Sequence, residues 1–127
     1  MQGYNTTVTP VVTGILTVSS PFPPKYVRVM VSSQNLSDNY MHFSEGAGDN
    51  TYWATVHSMF MDTSGGKTAR NAGTNGKIIG VFERVSGTIT EVNAATLDSF
   101  VTTGSYAVKL NVTNCTHPYQ YNIEILG

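Results

Sequence analysis

The sequence predicts an all-β protein, a jelly-roll-like, two-sheet antiparallel β-sandwich of about eight strands. Three observations support this fold class. Thr, Ser and Asn are abundant, and these residues together with Val, Ile, Tyr and Phe suit pleated strands and turns better than helices. Several segments alternate apolar and polar residues with a period of two. Turn signals rich in Gly, Asp and Asn separate these segments.

The length of the chain limits the number of domains, and its charge limits the classes of binding partner. A chain of 127 residues fits one domain, which we place at 1–127. The net charge is −1 and only 12% of residues are charged, so no basic field is present to attract nucleic acid. No apolar stretch approaches the ~20 residues of a membrane span. We therefore expect neither nucleic acid nor membrane as a partner.

The first fifth of the chain contains two strand signals and a proline-rich entrance. Residues 6–20 are rich in β-branched residues but contain Pro10 and Gly14, which predicts an edge strand or two short strands with a bend. Residues 1–10 are also a possible N-terminal arm that orders on a neighbour. The prolines at 21 and 24 spell PxxP, a docking motif for aromatic grooves, but the valine alternation that follows favours a strand entrance.

Residues 25–33 form the clearest predicted strand. Val27, Val29 and Val31 make one apolar face. The opposite face is only partly polar, because Tyr26 and Met30 share it with an arginine, and these two side chains suit contact with a second layer or a partner. One face is therefore expected in the core and the other on a surface.

The middle of the chain is predicted to alternate short strands with loops. We expect strands at 40–43 and 51–61, separated by a loop at 46–50 that is signalled by Gly, Asp and Asn. The next segment, 62–76, has no strand pattern and is predicted to be a 15-residue loop. Loops of this length are usually functional, flexible or ordered by a neighbour.

The C-terminal half is predicted to contain a hairpin and two further strands. Residues 77–85 and 88–92 flank Ser-Gly and predict the hairpin. Residues 92–101 are expected to form one helical turn or a crossover. The segments 105–113 and 119–127 alternate regularly and predict strands that are half buried.

The sequence contains no arrangement that predicts catalysis or a cofactor. SGGKT at 64–68 lacks the first glycine of a phosphate loop, because Met61 stands at that position, and no βα unit follows. The three histidines and the single cysteine, Cys115, show no metal-ligand spacing. No nucleophile elbow is present, and the carboxylates fall mostly in or beside loops. We predict a protein that is not an enzyme and that uses no cofactor or metal.

Aromatic residues provide the candidate interaction surface. Neighbouring tyrosine and tryptophan side chains offer large contact areas for a sugar or a protein at little entropic cost. The alternative for the single tryptophan is a place in the core of the sandwich. With two cations from the segment that follows, the candidate interaction surface comprises Tyr40, Tyr52, Trp53, Lys67 and Arg70.

Four segments resemble those of a known class of proteins. They are F-x-P-K-x-V-x-V-x-V at 22–31, TGILTVSS at 13–20, EGAGDN at 45–50 and NIEILG at 122–127. Together they resemble small β-sandwich domains of tailed-bacteriophage virion proteins, which occur in tail or fibre proteins and as free-standing components. The resemblance implies a virion structural protein. KLNVTNCTHPYQYNIEI at 109–125 departs from the aspartate- and tryptophan-rich hairpin expected there, so the resemblance does not define a subfamily. No functional residue is carried over, because the matching positions are framework positions.

Within this class we expect a capsid decoration or cement protein. The chain has no coiled coil or collagen-like repeat that would project it from a tail. It would bind the outer surface of the assembled shell and reinforce contacts between capsid subunits. The expected partner is the major capsid protein or another virion protein, and the expected form is a homo-oligomer, a trimer or a dimer. Because no secretory signal is present, we expect synthesis in the bacterial host cytoplasm and a final place on the virion.

The alternative function is a receptor-binding module at a tail or fibre tip. Such a module would recognise a host glycan with exposed aromatic residues such as Tyr52 and Trp53. Loop carboxylates and amides would supply the hydrogen bonds. Binding to capsids or to host polysaccharide separates the two functions.

Overall fold

Ten strands in the described residues of a computed structural model form two antiparallel sheets, stacked as a sandwich. The structure describes residues 1–35, 40–51, 53–61, 68–73, 76–85 and 88–127. The strands are β1 (Gly3–Val8), β2 (Gly14–Ser19), β3 (Tyr26–Asn35), β4 (Tyr40–Gly48), β5 (Trp53–Met61), β6 (Thr68–Gly73), β7 (Lys77–Val85), β8 (Thr88–Val101), β9 (Ala107–Cys115) and β10 (Tyr121–Leu126). The predicted fold class is confirmed, with ten strands where about eight were expected. The described residues form no helix that is long and apolar enough to cross a membrane.

The strand order of the sandwich resembles that of a jelly roll in one half only. The larger sheet has the order β1-β10-β3-β4-β5-β6, and the smaller has the order β2-β9-β8-β7. In one half, β1 pairs with β10 and β2 pairs with β9, so the two ends of the chain wrap around each other as in a jelly roll. The other half consists of two meanders, β3 to β6 and β7 to β9. β7 of the smaller sheet packs against β4 and β5 of the larger sheet. The two strand orders therefore run in the same direction across the sandwich, and the edge strands β1 and β2 lie on the same side of it.

Alternating apolar residues on β3, β9 and β10 form about half of the core cluster, and β2, β7, β8 and Phe22 supply the rest. The valines of β3 are fully buried, as predicted, and so are the alternate apolar residues of β9 and β10. Full burial of one such side chain stabilises the folded state by about 1.5–3 kcal/mol relative to an exposed position. The buried residues at these alternate positions are Val27, Val29, Val31, Val108, Leu110, Val112, Tyr121, Ile123 and Ile125.

The N-terminal segment forms two edge strands in different sheets, which confirms the prediction of two short strands with a bend. Residues 3–8 form β1 and pair with β10 of the same chain. The sequence had also allowed these residues to be an arm that orders on a neighbouring molecule. The first and last residues of the chain meet. The Gln2 backbone N–H donates to the Gly127 carbonyl at 2.9 Å, and the Gly127 N–H donates to the Gln2 carbonyl at 3.0 Å.

The proline-rich stretch before β3 is a strand entrance. Phe22 is 6% exposed and belongs to the core, and Pro24 is buried. The Lys25 backbone N–H donates to the Leu126 carbonyl at 2.8 Å, which continues the pairing of β3 with β10. Because Phe22 and Pro24 are turned inward, the stretch does not present a free PxxP surface.

Small residues on the inner face of β4 let β7 approach its backbone. The inner positions of β4 are Ser44, Gly46 and Gly48, which pair with the buried valines of β3. A Cβ at Gly46 would lie 1.6 Å from the Ile78 carbonyl oxygen. The backbone N–H of Gly80 donates to the Ser44 hydroxyl at 3.2 Å. Glycine marks close backbone approach here, so the prediction of a loop beginning at residue 46 was wrong for 46–48.

Two further predictions were wrong about the type of element. Residues 68–73, predicted to be part of a loop, form β6 and pair with β5. TARNAG has no apolar alternation, so the sequence does not signal this edge strand. Residues 92–101, predicted to be a helical turn or a crossover, continue β8. Register irregularities between Ala94 and Ala95 and between Leu97 and Ser99 break the period of two, which hides this strand in the sequence.

Candidate interaction surface

Of the five sequence-predicted surface residues, only Trp53 has a side chain within the described part of the structure, so their grouping stays a prediction. Tyr52 and Lys67 lie outside the described residues. Tyr40 begins β4 and Arg70 lies in β6, but their side chains are also outside the described part. Trp53 begins β5, is partly buried and packs against the core cluster.

Trp53 contacts the core rather than standing free as a flat platform. Its indole Nε1 is buried and has no hydrogen-bond partner among the described residues. Gly76, which has a φ of 70°, lies beside it, and a Cβ at this glycine would be 3.7 Å from Nε1. The core alternative for this residue therefore agrees with its packing.

The best-described surface is the outer face of the six-stranded sheet. Successive strand residues point to opposite sides, so the neighbours of each buried residue on β1, β10, β3 and β4 point away from the core. The cross-strand register aligns them in rows. The outer face comprises Asn5, Thr7, Tyr26, Arg28, Met30, Phe43, Glu45, Asn122, Glu124 and Leu126.

Apolar side chains and an ion pair occupy the middle of the outer face. Tyr26 and Phe43 are each 38% exposed, and Met30 is partly exposed between them. Arg28 Nε donates to Glu45 Oε1 at 2.5 Å. The two side chains are 39% and 33% exposed, so solvent screens the pair and its contribution to stability is at most about 1 kcal/mol. The ion pair orients the guanidinium on the surface more than it stabilises the fold.

Two shallow depressions lie on this face. The first, of about 610 Å³, crosses β1, β10 and β3 and is bordered by amide and hydroxyl side chains with Met30 at one wall. The second, of about 580 Å³, lies where the chain ends meet and is lined by Met1, Lys25, Tyr26, Leu126 and Gly127. Both depressions are open to solvent and do not enclose a small ligand, so this face is better suited to contact with the surface of another protein.

A separate polar network braces one end of the sandwich. Glu83 on β7 accepts a hydrogen bond from the Tyr119 hydroxyl, and its other oxygen lies 2.5 Å from His117 Nδ1. Burial, together with the hydrogen bond to Glu83 and its charge, raises the pKa of Tyr119 well above the ordinary value of 10.0. The phenol is therefore a fixed donor that ties the segment before β10 to β7.

A second part of this network is centred on Asn93 of β8, which is fully buried together with Tyr121. The Tyr121 hydroxyl donates to Asn93 Oδ1 at 2.5 Å, and Asn93 Nδ2 donates to the His117 carbonyl at 2.8 Å. The Cys115 thiol donates to the Pro10 carbonyl at 3.2 Å. Burial raises the pKa of Tyr121 strongly and that of Cys115 as well. The hydrogen bonds of these side chains connect separate segments of the chain, so their role is structural.

The described residues contain no group of three or more His, Cys, Asp or Glu side chains able to hold a metal ion. The sequence had shown the alternation that turns Tyr26 and Met30 outward. It had not shown that Phe43 and Glu45 lie beside them, because that depends on the pairing of β3 with β4. No family model, curated protein or solved structure matches the chain.

Proposed function

We propose that this protein is a bacteriophage virion structural protein, a capsid decoration protein that binds the outer surface of an assembled shell. The observation that carries this proposal is the grouping of Tyr26, Arg28, Met30 and Phe43 on the outer face of the six-stranded sheet. The sequence resemblance described above supplies the virion context. The binding partner is the major capsid protein or another virion protein.

The residue types on the outer face suit contact with a protein. Aromatic residues, Met and Arg are enriched in protein interfaces, while Lys, Glu and Asp are depleted. β3 and the neighbouring part of β4 present all the favoured types in adjacent rows. Asn5, Asn122 and Glu124 lie to one side, where polar side chains form the rim of such an interface.

The physical effect of such binding is linkage. A molecule that binds the assembled shell and not its separated subunits stabilises the shell by mass action. A decoration protein that contacts two neighbouring subunits also adds interface area between them. The cost to the decoration protein is small, because its outer face lies on paired strands that hold the side chains in place before binding.

Co-sedimentation with purified empty capsid shells tests the proposal. We expect the wild-type protein to sediment with shells and to raise the temperature at which they dissociate. Truncation of Tyr26 or Met30 to Ala should weaken binding about fivefold or more, since interface anchors cost more than about 1 kcal/mol when truncated. Each variant is first checked for an unchanged melting temperature.

A matched pair of cation variants shows which face binds. Arg28→Ala removes a partly exposed cation from the outer face, and Lys109→Ala removes one from β9 of the other sheet. Only Arg28→Ala should weaken shell binding. Equal losses would reject the outer face as the binding surface. Binding to host surface polysaccharide without binding to shells would reject the proposal and favour the receptor-binding alternative.

A further inference from the structure

The two edges of the four-stranded sheet are built differently. At one edge, β7 carries Lys77 and Glu83, has register irregularities at two places and packs against β4 and β5. Such features protect an edge strand from pairing with another chain. At the other edge, β2 pairs with β9 in continuous register over all six residues and contains neither a charged residue nor a proline. The β2 edge lacks the protection that the β7 edge has.

The absence of charge extends well beyond β2. Residues 1–24 contain no Lys, Arg, Asp, Glu or His, and Lys25 is the first charged side chain in the sequence. This segment includes both β1 and β2, the two edge strands on the same side of the sandwich. On the opposite edge of the larger sheet, β6 carries Arg70. One side of the molecule is therefore uncharged along both of its edges.

Exposed apolar side chains accompany the β2 edge. Ile15 within β2 is 55% exposed, and Val11 and Val12 just before it are 70% and 71% exposed. An edge strand also directs unpaired N–H and C=O groups away from its sheet. Apolar side chains next to unpaired backbone groups favour the addition of another strand at this edge.

We propose that β2 pairs antiparallel with β2 of a second copy of this chain across a twofold axis. The pairing joins two four-stranded sheets into one continuous sheet of eight strands. The absence of charge favours a second copy as the partner. Pairing two uncharged β2 strands brings no like charges together, whereas a charged strand from another protein would find no opposite charge on residues 1–24. The β2 edge does not overlap the outer face of the six-stranded sheet, so this dimer is independent of shell binding.

The alternation of β2 restricts the register of this dimer. Residues directly opposite each other in an antiparallel pair point to the same side of the sheet. One residue of β2 must therefore lie directly opposite the same residue of the second copy, with the twofold axis midway between the two. When Leu16 lies opposite Leu16 of the second copy, Gly14 lies opposite Val18 on the inner side and Ile15 lies opposite Thr17 on the outer side. This register uses five of the six residues of β2 and covers the exposed Ile15 side chain.

Sedimentation equilibrium of the full chain tests the dimer. We expect a monomer–dimer equilibrium between about 1 μM and about 1 mM, the range expected for a small interface. Ile15→Lys should weaken dimerisation at least about tenfold, because two ammonium groups would be desolvated at the contact. Thr17→Glu should act similarly, and in its own chain the new carboxylate lies opposite Lys109, which favours normal folding.

Phe43→Lys is the matched control, since Phe43 is an exposed apolar residue on a strand of the other sheet. It should leave dimerisation unchanged. All variants are compared by circular dichroism and melting temperature at low concentration. A wild-type protein that stays monomeric at about 1 mM, a trimer, or a dimer that is weakened by Phe43→Lys but not by Ile15→Lys or Thr17→Glu would each overturn the proposal.

Discussion

Gly46 controls how closely β4 and β7 approach, and a single methyl group there should disrupt the sandwich. In Gly46→Ala the new Cβ would meet the Ile78 carbonyl oxygen at 1.6 Å and its carbonyl carbon at 2.4 Å. Because these are backbone atoms, a side-chain rotation cannot relieve the clash. We expect the free energy of unfolding in urea to fall by about 3 kcal/mol, at the upper end of the range for overpacking.

Gly3→Ala provides the control for this prediction. Gly3 also lies in a strand, but a Cβ there would be 3.6 Å from the Leu126 side chain, which is ordinary van der Waals contact. We expect a change within about 0.5 kcal/mol. Similar unfolding energies for the two variants would mean that β4 and β7 do not approach as described.

The buried tyrosines predict a loss of stability at alkaline pH. Burial raises the pKa of Tyr121 and of Tyr119 above the ordinary value of 10.0. Above about pH 10 the unfolded chain ionises these phenols while the folded chain keeps them protonated, so their contribution is complete below pH 10 and is lost as pH rises towards the folded values. The melting temperature should therefore decrease above about pH 10, and Cys115, raised from 9.0, adds a decrease that begins earlier.

Tyr121→Phe separates the phenol from the general effect of high pH. The variant leaves Asn93 Oδ1 without its donor, so it should lose about 1–3 kcal/mol at neutral pH. Its melting temperature should then fall less steeply with pH than that of the wild type. Equal slopes in the two proteins would contradict a raised pKa of Tyr121.

At the scale of elements, β1 belongs to the sheet of its own chain. It pairs with β10 through six residues, and its Tyr4 and Val8 pack against the core. Deleting residues 1–8 should therefore lower the melting temperature of the isolated protein and promote aggregation, because β10 would become an open edge. An arm that orders only on a neighbour would leave the melting temperature unchanged, so thermal unfolding of the truncated chain distinguishes the two.

The sequence predicts the elements whose burial follows a simple period and misses those set by their neighbours. The valines of β3 and the isoleucines of β10 alternate because one side of each strand faces the core. β6 is a strand only because it pairs with β5, and β8 contains irregularities that interrupt its period. The glycines of β4 indicated a loop, yet Gly46 is required by the close passage of β7.

The candidate surface shows the same limit. The alternation in the sequence predicts that Tyr26 and Met30 lie on the side of β3 that faces away from the core. The presence of Phe43 in the neighbouring row depends on the β3–β4 register, which pairs Ser32 with Phe43. A surface made of several strands is a property of pairing, and no single segment contains it.

At the scale of the whole molecule, low charge predicts binding that depends little on salt. The chain has a net charge of −1, and the ion pair of Arg28 with Glu45 is internal to the outer face. The proposed shell binding through Tyr26, Met30 and Phe43 should change less than about threefold between low salt and about 0.5 M NaCl. Co-sedimentation across this range measures it, and a loss of tenfold or more would indicate an electrostatic interface elsewhere on the protein.

The meeting of Gln2 and Gly127 makes one corner of the sandwich a natural attachment point. A peptide or domain fused to either end would leave from this corner and point in nearly the same direction. A short linker between the two ends would allow circular permutation, with new ends in the exposed turn at Gly104, whose φ is 76°. Such a permutant moves any fused cargo from this corner to the turn that joins β8 to β9.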